Sequence, residues 1–121
     1  MADRPLPGYP QPFGSRYINI CTHQGNNNYQ QGNTSDQVTA RAVGLSVFDK
    51  VEAGASVPNN VNNASGTYTV RPQYPFGQLS LTAQGANNVN YQWLYAANGN
   101  EVANGTNLAG EFVRVLYYGD L

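Results

Sequence analysis

Residues 89–107 read VNYQWLYAANGNEVANGTN, and this stretch decides the fold. Val89, Tyr91, Trp93 and Tyr95 occupy alternate positions, the period of a half-buried β-strand rather than of a helix. Asn98-Gly99 follows. An Asn-Gly pair between such a strand and the short apolar Val102 predicts a two-residue hairpin with positive φ at both turn positions. Asn104-Gly105 repeats the signal as a second turn. Trp93, in the middle of the strand, is expected to be the central aromatic of the core.

The same punctuation runs outward in both directions. Glu111 to Tyr118, EFVRVLYY, is apolar on both parities, which predicts a central strand buried on both faces. Gln78 to Gln84 alternates with Leu79, Leu81 and Ala83 on one side, and Thr67 to Arg71 alternates as well. Pro72 and Pro75 lie in RPQYPFG, a connector that should stay out of a ladder interior because proline has no N–H to give. Asp49 to Gly66 reads as a loop. Val38 to Phe48 changes apolar parity near Val43-Gly44, as one long strand kinked by a bulge or bend would. Tyr17 to Thr22 is the first strand of the domain, and His23 to Gln37 is a long polar loop.

These segments make six to eight short strands with no sustained helical period. The expected fold class is all-β, an antiparallel β-sandwich or small barrel of jelly-roll or Ig-like form. The 121 residues suffice for one core. Residues 15–121 form that single β domain, and residues 1–14, MADRPLPGYPQPFG, form an extended N-terminal arm. Prolines 5, 7, 10 and 12 hold the arm extended, so it loses little entropy on docking. Leu6, Tyr9, Pro10 and Phe13 are its expected contacts with a partner. Tyr29 and Tyr74, in predicted loops, are the expected contacts elsewhere, since loop tyrosines among amides suit recognition.

Composition narrows the partner. Charged residues are 11% of the chain, against about 25% in an average soluble protein, and the net charge is −1. Five arginines and one lysine are scattered, which leaves no electrostatic footprint for nucleic acid or an anionic membrane. No apolar leader and no membrane-length apolar run is present, so synthesis in the cytoplasm is expected.

No catalytic constellation stands out. Cys21, the lone cysteine, excludes an internal disulfide and reads as a buried inert thiol. Cys21 and His23 would share one face of a strand, but a nucleophile pair needs a third group and an oxyanion hole. Two ligands are too few for zinc. The seven acidic side chains read as surface groups. Asp36 and Asp49 flank the same predicted strand and hint at calcium, without the close carboxylate spacing that calcium sites use. No catalytic residue, metal or cofactor is expected.

In composition and organisation, though not by any motif, the chain resembles the accessory shell and tail proteins of bacteriophage particles. The resemblance implies a virion component such as a capsid decoration (cement) protein. Such a protein forms a homo-oligomer and binds the major capsid or other virion proteins by association alone. Small bacterial lectins share the β-rich, Asn/Gly/Thr-rich profile, which makes a carbohydrate-binding module the alternative.

Overall fold

The inner-facing pattern of the strands is visible first in residues 16–24, RYINICTHQ. Asn19, Cys21 and His23 are buried, while Ile18, Ile20, Thr22 and Gln24 on the other face are half-buried. The computed structural model describes residues 3–5, 11–13, 16–32, 36–56, 66–73 and 87–121. Among them it forms β1 (Asp3–Pro5), β2 (Gln11–Phe13), β3 (Arg16–Gln24), β4 (Gln37–Thr39), β5 (Val47–Ser56), β6 (Tyr68–Gln73), β7 (Asn88–Tyr95) and β8 (Phe112–Asp120). A 3₁₀ turn spans Arg41–Val43.

The protein is all-β and builds two antiparallel sheets. In one, β3 pairs with β8 and β8 with β5, and both β1 and β2 pair with the outer edge of β3. In the other, β7 lies between β6 and β4. A single register pair, Ala55↔Thr69, links the sheets where β5 passes to β6. The inner faces meet across Phe48, Val51, Val113, Val115 and Tyr117 on one side and Val70, Val89, Tyr91 and Trp93 on the other. Trp93 has no exposed surface, as the alternation around it predicts.

Local chemistry explains where the strands begin, bend and cross. Phe48 and Val51 are both buried although they differ in parity. A register shift between Phe48 and Lys50 absorbs Asp49 and brings both inward. Asp49 to Ser56 is therefore strand, not the expected loop. The segment Val38 to Phe48 is not one kinked strand: β4 and β5 belong to different sheets. Between them the 3₁₀ turn ends on Gly44 at φ 80°, where a left-handed residue redirects the chain. The change of parity read from the sequence was thus a crossing between layers, larger than a bulge.

The hairpin after β7 falls where expected but has another form. Tyr95 N–H donates to Asn100 O and Gly99 N–H to Tyr95 O. Gly99 has φ 75° and no non-glycine residue described has positive φ. Asn98 is therefore not left-handed, and the loop is longer than two residues. Gly105, at φ 83°, makes the second turn. β8 is central, as expected, but only its inner face is fully covered: Arg114 is exposed, and Leu116 and Tyr118 are half-buried. Gln78 to Gln84 and residues 57–65 lie outside the described residues.

Prolines enter three strands, and one geometric rule admits all of them. In an antiparallel ladder, hydrogen-bonded and non-hydrogen-bonded pairs alternate. Tyr91 N–H donates to Asp36 O, on the β4 side. The pair Pro72↔Tyr91 is thus non-hydrogen-bonded, and the Pro72 nitrogen points away from β7. Contrary to expectation, Pro72 sits inside a strand at no loss. On β3, Gly25 N–H donates to Glu111 O, continuing the register Gln24↔Phe112. Odd-numbered residues of β3 therefore bond β8, and even-numbered ones face β1 and β2. Pro5↔Cys21 and Pro12↔Tyr17 are consequently non-hydrogen-bonded, with both proline nitrogens directed outward.

Candidate functional site: a buried polar chain between the sheets

β3 carries His23 to the inner face, where it has no exposed surface. Its Nε2 lies 2.8 Å from Asp36 Oδ1. The other carboxylate oxygen, Oδ2, accepts a hydrogen bond from Trp93 Nε1 at 2.5 Å. One carboxylate, 1% exposed, therefore holds both the only histidine and the only tryptophan of the chain. The His23 ring also lies against that of Tyr91, with centroids 4.6 Å apart. The hydroxyls of Tyr91 and Tyr117 are 2.5 Å apart, which joins β7 to β8 across the core. Buried polar groups persist only when satisfied in this way.

Trp93 links this cluster to a second one. β4 pairs with β7 only as far as Asn88 to Asn90, with Asp36 O taking the next amide along. The N–H of Trp93 faces the same side beyond the reach of β4. Tyr29 Oη accepts it at 3.1 Å and donates to Glu101 Oε2 at 2.7 Å. The Trp93 carbonyl accepts Val102 N–H at 2.9 Å. Tyr29 is itself fixed by its backbone, donating to Thr106 O and accepting from Gly105 N–H. Burial first, and then the hydrogen bond to Glu101, raises the pKa of the Tyr29 phenol above the ordinary tyrosine value.

The loop amides around these groups are largely occupied with folding. Asn26 Oδ1 accepts Asn28 N–H, Asn98 Oδ1 accepts Asn100 N–H, and Asn107 Oδ1 accepts Ala109 N–H. Each closes the same local turn two residues on. Asn104 Oδ1 accepts Gln31 N–H at 2.6 Å and so ties the two loops together. Residues 24–35 and 96–110 contain one charged side chain, Glu101, and Tyr29 occupies it. Among the described residues, the exposed side chains of these two loops are Asn, Gln and Ala, and Glu101 is half-buried.

A histidine held by a carboxylate has the form of a base and its orienting group. Here Asp36 also accepts from Trp93, and both members of the pair are buried. The hydrogen bonds tie residue 36 and the loop 25–32 to β3, β7 and the loop 100–106. Among the described residues, no three His, Cys, Asp or Glu side chains are grouped so as to hold a metal ion.

The expected site residues are dispersed. Tyr29 is not a surface contact: it is 1% exposed and serves as the cap of a strand amide. Asp36, expected at the surface with the other carboxylates, is buried, because it has two N–H partners to compensate it. Cys21 is buried, as expected. Phe13 belongs to β2 and pairs with Arg16. Leu6, Tyr9, Pro10 and Tyr74 lie outside the described residues. The missed group is His23, Asp36, Tyr91, Tyr117 and Glu101. The face shared by Cys21 and His23 was legible; what was not is that Asp36, 13 residues on, returns to it.

Comparison with protein-family models, with curated proteins and with solved structures returns no match.

Proposed function

We propose that the chain is a non-enzymatic assembly protein, a decoration protein of a bacteriophage shell. In this reading the two sheets form a β-sandwich of jelly-roll or Ig-like kind with a proline-rich strap. The observation that carries it is the way the N-terminal residues are held: two short strands with outward prolines lie along the outer edge of β3. Such a segment docks through its backbone and needs no charge complementarity. Leu6, Tyr9, Pro10 and Phe13 are the side chains by which it engages a neighbouring virion subunit, and copies of the chain associate with one another on the particle. The tagged chain, produced in its native host during infection and sedimented through a density gradient, should travel with shells at a fixed stoichiometry. Its presence only in the slow-sedimenting fraction would end this reading.

A carbohydrate-binding module is the second reading, favoured by one feature. Gln37 on β4 and Arg71 on β6 are exposed and flank β7, where Gln92 is half-buried, whereas Asn90 and Gln73 beside them are buried. An exposed amide and guanidinium with a neighbouring amide offer sugar hydroxyls both donors and acceptors. Saturable binding on a glycan array, lost in Gln37→Ala with Arg71→Ala, would select it over assembly.

A further inference from the structure

The registers of β1 and β2 on β3 do not belong to one ladder. Pro5 pairs with Cys21 and Gln11 with Ile18. Five residues, 6–10, therefore intervene where β3 has only Asn19 and Ile20, a slip of three. The two pieces are held separately. From the alternation set by Gly25 and Glu111, β1 has one hydrogen-bonded pair, Arg4↔Thr22, and β2 has two, Gln11↔Ile18 and Phe13↔Arg16. Short ladders with so few bonds open at low cost. Only Gly14 and Ser15 separate Phe13 from its partner Arg16, and a terminal element on a short hinge is the kind that copies exchange.

We propose that the outer edge of β3 is a strand-addition site whose occupants in the assembled state are β1 and β2 (Asp3–Pro5 and Gln11–Phe13) of a second copy of this chain. This rests on the assembly reading above and names the contact that performs it. The exchanged segment makes the same backbone bonds that it makes on its own sheet, so exchange costs little in contacts. A high local concentration of neighbours then decides between the two. The outward nitrogens of Pro5 and Pro12 give the arrangement its limit. A further strand needs donors on that side and two of them are missing, so addition stops after one strand rather than growing into a fibre.

The pair Pro5↔Cys21 supplies the test. Non-hydrogen-bonded neighbours in an antiparallel pair bring their Cα atoms within disulfide range. In full-length Pro5→Cys, oxidised with glutathione disulfide over a hundredfold range of protein concentration, the new thiol should link to Cys21 of another copy. Non-reducing electrophoresis should then show covalent dimers or closed oligomers whose share rises with concentration, while the wild-type chain stays monomeric. A link formed only within one chain at every concentration overturns the proposal, and so does a folded variant that forms no link at all. If Pro5→Cys does not fold, Arg4→Cys with Thr22→Cys in a Cys21→Ser background reads the adjoining pair by the same criteria. Intermolecular linking without sedimentation on particles leaves the site standing and removes the phage reading; particle binding with links only within chains does the reverse.

Discussion

Tyr29 Oη accepts the Trp93 amide and donates to Glu101, so one oxygen serves a buried amide and a half-buried carboxylate. Tyr29→Phe leaves both without it, and a buried group deprived of its partner costs about 1–3 kcal/mol. Urea unfolding should show a loss of that size with an unchanged slope. The sign with pH follows from the raised phenol pKa. The folded chain holds this proton more tightly than the unfolded one. Its contribution is complete below the ordinary tyrosine pKa of about 10 and is lost as pH climbs beyond it. Alkaline unfolding should therefore begin above that point, and Tyr29→Phe should weaken the pH dependence; an unaltered alkaline profile would refute the assignment. Asp36 offers a second handle, since its carboxylate binds the only tryptophan. Asp36→Ala removes the hydrogen-bond partner of two buried ring nitrogens, at about 1–3 kcal/mol for each, and should shift Trp93 emission even where the chain stays folded. Unchanged emission would mean that Trp93 is not held there.

At the scale of elements, glycine does two distinct jobs. Gly44 has φ 80° and turns the chain from one sheet to the other, with open backbone conformation as its contribution. Gly119 is needed for space: a Cβ there would run into the Val47 carbonyl. Gly44→Ala should destabilise by about 1–2 kcal/mol through left-handed strain. Gly119→Ala should cost about 1–3 kcal/mol by forcing β5 and β8 apart. Thermal denaturation separates them, because only Gly119→Ala should also loosen amide exchange along Val47 to Val51. Alternation made β7 and β8 legible in the sequence, together with the core role of Trp93. The chain crossing at Gly44 was not legible, since a parity change looks the same whether a strand bulges or changes sheets. Nor was β5, where the register shift at Asp49 hides the alternation of Phe48 and Val51. Pro72 misled because the rule against proline in a ladder holds for only half of the positions.

For the molecule as a whole, the division between legible and illegible follows distance along the chain. Cys21 as a buried thiol could be read from its own strand. The pairing of His23 with Asp36, Asp36 with Trp93, and Tyr91 with Tyr117 spans 13, 57 and 26 residues, and no local pattern carries such contacts. The same holds for Tyr29 and Glu101, 72 residues apart. The long polar loop after β3, where Tyr29 was expected to face a partner, instead supplies it to the core as a large, fully buried side chain.

The two Asn-Gly turns have a consequence for how this protein ages. Asparagine loses its amide when the nitrogen of the next residue attacks the side-chain carbonyl, and glycine, being unhindered, permits this most readily. In the folded chain Gly99 N–H is bound to Tyr95 O and Gly105 N–H to Tyr29 O, so neither nitrogen is at liberty to attack. Intact-mass measurement over weeks at mild alkaline pH should find residues 98 and 104 preserved in native protein and rapidly converted in urea. Equal rates in both states would refute the protection. Each conversion would add a negative charge to loops whose one charged side chain is Glu101, so the turns that shape the loop end also keep its charge from growing for as long as the fold lasts.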